Sequence, residues 1–183
     1  MRDRFNIAWF AALAAFASPA HAQREPLIVQ MPQISSAAAQ QLGEACVAFA
    51  AKANTATAVA VVDPAGHLMY FFARQGASAS APKTAELKAI TAARWGRSTT
   101  QLMELVRQGN AEYVWFGDFP QPGGLPIVQN GRTLGAVGVA GPGGIDEKCA
   151  MEAIKTVFGD SVQTGRPVGA GAAARDGQGG ARP

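Results

Sequence analysis

The stretch GLPIVQNGRTLGAVGVAGPGGIDEKCAMEAIKTVF, Gly124 to Phe158, decides the fold, because it spells strand, tight turn, strand, glycine loop and helix without a break. Leu125, Ile127 and Val128 lead to Asn130-Gly131, a dipeptide that tolerates positive φ and so suits a two-residue hairpin turn. The return strand reads Leu134, Ala136, Val137 and Val139, with Gly135 and Gly138 between them. Glycine weakens a strand, so two of them imply the close approach of a ligand or of another backbone. Gly141-Pro142-Gly143-Gly144 ends the strand, and a helix begins at Ile145-Asp146-Glu147, with Cys149, Ala150, Ala153, Ile154 and Val157 at helical spacing. A glycine loop feeding a helix N-terminus is suited to an anion, which makes Gly143 and Gly144 candidate binding residues.

Upstream, a second ribbon precedes this one. Thr57 to Val62 is a run of small and β-branched residues, Asp63-Pro64-Ala65-Gly66 is a turn, and His67 to Ala73 returns as a strand. Before it, Ser35 or Ser36 caps a helix with Ala38, Leu42, Ala45, Cys46, Phe49 and Ala53 on one stripe, ending near Asn54. Between the ribbons, Pro82 marks a helix start at about Lys83 that runs to Trp95 and stops at Gly96. Ser98-Thr99-Thr100-Gln101 is a capping box for another helix ending at Gly109. Residues 110–123 read as irregular, with Tyr113, Trp115, Phe116 and Phe119 crowded together to cover a core or an interface, or less often to line a ligand site. Hairpin, helices, hairpin predicts an antiparallel sheet with helices packed on it, an α+β arrangement rather than a parallel doubly wound one.

The ends of the chain have a different character. Arg2 and Arg4 precede an apolar run from Ile7 to Ala17, and Ala20-His21-Ala22 is an A-x-A site, so residues 1–22 are expected to be a secretory signal peptide cleaved after Ala22. The apolar run is too short to span a bilayer, and no longer one follows, so no transmembrane segment is expected in the mature chain. Residues 23–33 read as an extended arm, an edge strand or an intersubunit strap. Residues 34–160 form the domain, and the Gly- and Ala-rich segment 161–183 is expected to be disordered. Without its leader the chain keeps 14 basic and 12 acidic residues, too balanced and dispersed for a nucleic-acid binder.

Export also bears on Cys46 and Cys149, the two cysteines of the chain. An oxidising compartment permits one disulfide between them, worth up to ~4–5 kcal/mol in the loop-entropy model. The alternative from the residues alone is two buried thiols acting as small hydrophobes.

Few residues carry chemistry. With His67 the one histidine left after cleavage and the cysteines far apart, no CxxC, HExxH, CxxCH or GxSxG signature can be written. Asp63 reads as a turn residue. Arg74, after the second strand, and Lys83, at a helix start, could hold an anionic ligand, or be solvated charges. His67 is by default an exposed strand-end imidazole, and it is also the side-chain type that most often meets the iron of a non-covalent haem.

Three segments in order, VAVVDPAGHLMYFFARQGA (59–77), KTAELKAITAARWGRST (83–99) and GGLPIVQNGRTLGAVGVAGPGGIDEKCAMEAI (123–154), resemble the GlcG/HbpS family, also described as the haem-binding domain at the C-terminus of PduO-type proteins. The likeness runs from about Ile34 to Phe158. It implies one domain with an antiparallel sheet of about five strands flanked by helices, and homo-oligomers from dimers to octamers. It further implies haem, or another small anionic compound, as the ligand, with storage, sensing or degradation as the role. His67 would then be a candidate axial ligand, with the propionates near Arg74, Lys83 or Gly143-Gly144. First and last helices on one face of the sheet would bring Cys46 and Cys149 within reach. The site expected is a largely apolar hollow between the ribbons and their helices, with a few cations around an anionic guest, in a periplasmic or secreted protein. Two rival readings are an enzyme acting on a small organic acid or cyclic metabolite, with Asp63, His67 or Lys83 as acid and base, and an accessory subunit of an exported complex.

Overall fold

The structure, a computed structural model, describes residues 27–165. The expected signal peptide and most of the expected disordered tail therefore lie outside the described residues. Residues 27–31 are a short unit of their own, without helix or strand, and Leu27, Ile28, Val29 and Met31 are exposed. The second unit begins at Pro32.

In that unit the elements run α1 (Ser36–Lys52), β1 (Ala58–Val62), β2 (Leu68–Ala73), α2 (Ala81–Trp95), α3 (Thr99–Arg107), α4 (Glu112–Trp115), β3 (Gly124–Gln129), β4 (Arg132–Ala140) and α5 (Asp146–Phe158). The strands make one antiparallel sheet in the order β2-β1-β4-β3. It has four strands among the described residues rather than about five, because the arm run Leu27-Ile28-Val29 adds none.

Local chemistry sets most boundaries. Ser35 and Ser98 accept from the Ala38 and Gln101 amides and cap α1 and α3, while left-handed Gly96 ends α2. Asn130 and Gly131 both have positive φ, as a primed hairpin turn between β3 and β4 requires. Pro126 has no amide to donate, which suits the outer strand β3. Past α5 the chain stays ordered far enough for Gln163 to exchange two backbone hydrogen bonds with Val128, at 2.8 and 2.7 Å, beside that strand.

The two sheet faces are built differently. Val59, Val61, Leu125, Ile127, Val137 and Val139 point to one side and pack under α1 and α5, whose Leu42, Cys46, Cys149 and Ile154 close the main core. There the sulfurs of Cys46 and Cys149 meet in a disulfide, with Cα atoms 5.1 Å apart. On the other side Ala58, Ala60, Val62, Ala136 and Ala140 face α2, which answers with Ala81, Ala85, Ala89 and Ala92. A Cβ at Gly138 would strike the Ala85 carbonyl and the Ala89 amide, and one at Gly124 the Lys88 carbonyl. The strand glycines thus admit a backbone rather than a ligand. Gly135 is likewise covered, by the Val62 carbonyl and the Ile34 side chain.

The aromatic segment is where the sequence reading departs furthest from the structure. It forms the single turn α4, and only Tyr113 finds an aromatic partner, Trp95, edge on at 4.6 Å. Val114, Trp115 and Phe116 are exposed and cover no core.

Candidate functional site

The candidate haem-binding and acid–base residues of the sequence lie at the two ends of the sheet. Because β1 is antiparallel to both neighbours, its Val62 end carries the β1–β2 turn, while its Ala58 end faces Ala73 and Ala140. Five residues of strand separate those ends by about 17 Å.

At the turn end, Asp63 organises His67. Asp63 Oδ1 accepts from the Ala65 and His67 amides at 2.8 and 2.9 Å, and Oδ2 accepts from His67 Nδ1 at 3.0 Å. Burial pushes the Asp63 carboxyl up, but the hydrogen bonds from the His67 amide, the His67 ring and the Ala65 amide outweigh it and leave the pKa lowered. A carboxylate at Nδ1 is the arrangement that orients metal-binding imidazoles, whose other ring nitrogen then meets the metal. The ring is 80% exposed. Next to it runs β2, an outer strand whose Leu68, Phe71 and Phe72 are exposed. Leu68 and Phe71 pair with Val62 and Ala60, so they share the α2 side of the sheet, and Phe72 pairs with Val59 on the other side.

Arg74, Lys83, Gly143 and Gly144 lie at the far end and share no pocket with His67. Arg74 Nη1 donates to the Thr55 carbonyl at 3.2 Å, tying β2 to the loop after α1. Lys83 is exposed and paired with Glu86 at 2.9 Å on its own helix. Gly143 and Gly144 are exposed with φ of 85° and 67°, turning the chain into α5. That helix carries Asp146 and Glu147 in its first turn, so its positive end already faces carboxylates, which disfavours an added anion there.

Among the described residues α2 and Ile34 fill the space over Gly138 and Gly135, where an apolar hollow between the ribbons was expected. What opens instead is a polar cleft of about 470 Å³ at the Ala58 end, lined among others by Ser80, Thr84, Lys88, Gln121, Gly141 and Asp146. Its floor is an ion pair the sequence did not single out. Lys88 Nζ donates to Asp146 Oδ2 at 2.8 Å and to the Val139 carbonyl at 2.9 Å, and its side chain is 4% exposed. Burial pushes the Asp146 carboxyl up, only partly countered by Lys88 and the Gly141 amide. A signal for Lys88 was present: it falls in helical register with Ala81, Ala85 and Ala92, the stripe that α2 buries. Nothing in the sequence pairs it with Asp146, 58 residues on.

The likeness to known proteins follows this body of the chain. A family model described as haem degrading protein HbpS-like matches residues 34–155. Protein GlcG of Escherichia coli strain K12 is 33% identical over 106 residues, covering 55% of this chain and 79% of GlcG. An uncharacterized 15.0 kDa protein in the dhaT-dhaS intergenic region of Citrobacter freundii is 30% identical over 122 residues, 61% of this chain and 82% of that protein. Among solved structures, a double mutant of HbpS from Streptomyces reticuli superposes with a TM-score of 0.69 at 28% identity, over 82% of this chain and 99% of that one. A PduOC:heme complex superposes with a TM-score of 0.65 at 23% identity, over 73% and 99%, a likeness of fold.

Proposed function

Since the chain belongs to the HbpS-like family, we propose that it is an exported protein that binds haem without covalent attachment, and that the open flank of β2 beside His67 is where it does so. The observation that carries the proposal is the family match over residues 34–155. The turn end supports it with two things a porphyrin needs: a nitrogen donor held by Asp63 with Nε2 free, and exposed apolar side chains at Leu68, Phe71 and Phe72. Gly143-Gly144 lie at the other end of the sheet from His67 and are not counted among the residues that would hold haem beside it. Arg74, one residue beyond the end of β2, stands at that far end too and is set apart from His67 as well.

Bound haem supplies redox and axial-ligand chemistry. The chain's own part is to fix the imidazole through Asp63, to shelter one porphyrin face on Leu68 and Phe71, and to leave the other open to solvent or to a second copy of the chain. An open apolar strand favours that second copy, and so a homo-oligomer, as an additional cover. Export of the mature chain, starting at Gln23, is part of the same proposal.

Titrating the mature protein with hemin tests it. A saturable shift of the Soret band is expected, with altered band position in His67→Ala and in Asp63→Ala. Identical spectra for wild type and His67→Ala would remove His67 as ligand, and no shift in any of the three would remove haem. N-terminal sequencing of protein from the exported fraction checks the start at Gln23.

A further inference from the structure

We propose that the polar cleft at the Ala58 end of the sheet is a second binding site, for a small neutral hydroxylated molecule, with Asp146, Ser80 and Thr84 as its hydrogen-bonding partners. The site is independent of the haem reading, since the cleft and His67 lie at opposite ends of β1.

The first support is the ion pair itself. Burying a lysine and a carboxylate together is a poor way to gain stability, because desolvation costs as much as the attraction returns. Lys88 and Asp146 nevertheless form the floor of a cleft rather than a packed interior. A second support is unused bonding capacity: Asp146 Oδ2 serves Lys88, while Asp146 Oδ1 is buried with no well-formed hydrogen bond, the Gly141 amide lying near the carboxylate without completing one. An unsatisfied buried acceptor is costly, and a ligand hydroxyl or ammonium would relieve it. The Asp146 side chain still keeps 13% of its surface, and the last torsion of an aspartate is soft, so a small rotation turns Oδ1 into the cleft.

Charge then selects among donors. The floor holds one cation and one anion already matched to each other, and the rest of the lining is neutral: the hydroxyls of Ser78, Ser80 and Thr84 and the amide of Gln121. A carboxylate ligand would face the Asp146 carboxylate, and an ammonium ligand would compete with Lys88 for it. A neutral polyol avoids both, donating to Oδ1 while the serine and threonine hydroxyls serve as donors or acceptors to its other hydroxyls. The volume, about 470 Å³, is that of a small-molecule pocket.

The test uses the full mature protein and three matched four-carbon probes: erythritol, its carboxylate counterpart erythronate, and the corresponding aminotriol. Binding is followed by ligand-observed NMR titration. Saturable binding of erythritol, tighter than that of both charged probes, is expected. Thr84→Val and Ser80→Ala, both at the cleft wall, should each weaken it about tenfold, the worth of one good hydrogen bond. The near-isosteric pair Lys88→Met with Asp146→Asn removes both charges with little change in volume, so it should fold, and loss of the carboxylate acceptor should weaken erythritol binding about tenfold. Equal or tighter binding of erythronate, wild-type affinity in the Thr84→Val and Ser80→Ala proteins, or no saturable binding of any probe would overturn the proposal. Hemin spectra of the same variants should match wild type, which keeps this outcome separate from that at His67.

Discussion

Val137 and Gly138 are neighbours on β4 that face opposite layers, and they show how differently the two sides of one sheet are made. Val137 joins branched side chains under α1 and α5, a layer thick enough to hold a disulfide at its centre. Gly138 faces a layer with almost no side chains, where the backbone of α2 rests on alanine and glycine. A thick core loses energy in proportion to what is removed from it, because its neighbours relax only in part. A layer of backbone against backbone has nothing to relax, so it is sensitive to additions instead.

The largest expected effect comes from adding volume on the thin side. Gly138→Val should cost more than ~4 kcal/mol, enough to leave no cooperative urea transition, since the new side chain meets the Ala85 and Ala89 backbone and only displacement of α2 makes room. Next in size is loss of the cross-link on the thick side. Cys46→Ala with Cys149→Ala should lower stability by ~2–4 kcal/mol in the same experiment while leaving a two-state transition. Mass spectrometry after alkylation, with and without reductant, checks the bond directly: equal masses would mean two free thiols. Val137→Ala follows at ~2 kcal/mol, the cost of two methyl groups from a packed core. Should Val137→Ala cost more than Gly138→Val, the contrast between the two layers would be wrong.

Outside both layers, Asp63→Asn should give the smallest change, and its pH dependence identifies it. The folded-state pKa of Asp63 lies below the ordinary 3.8, so its contribution is present above that value and is lost as pH falls through the lowered one. The urea midpoints of wild type and Asp63→Asn should differ at neutral pH and converge in acid. Asp146 runs the other way. Its raised pKa favours the folded state at low pH, and that advantage fades as pH rises from 3.8 through the folded value. Convergence for Asp63 is therefore best read against the Lys88→Met, Asp146→Asn background.

The contrast also shows what a sequence makes legible. Local signals carried through: Asn130-Gly131 turned the chain, Ser35 and Ser98 capped their helices, and Gly96 stopped one. Each of these acts within a few residues, where spacing determines geometry. Gly135 and Gly138 were visible as an invitation to close approach, but the guest over Gly138, the backbone of α2, comes from fifty residues earlier, those over Gly135, the Val62 carbonyl and Ile34, from still further back, and no local pattern names them. Lys88 could not be paired from the sequence for the same reason, since its partner is fixed only once α2 lies against β4 and α5. Of the two covers the aromatic density around Trp115 suggested, a core or an interface, α4 sets aside the core by leaving that ring outside.

One outer strand of this sheet is spoiled for pairing and the other is not. On β3, Pro126 offers no amide and Gln163 already occupies Val128, whereas β2 has no strand beside it among the described residues. Among the described residues, the edge open to strand addition is therefore β2. Two copies meeting there through a two-fold axis would use up each other's vacancy and close at eight strands, whereas an edge open on both sides would let the sheet go on growing.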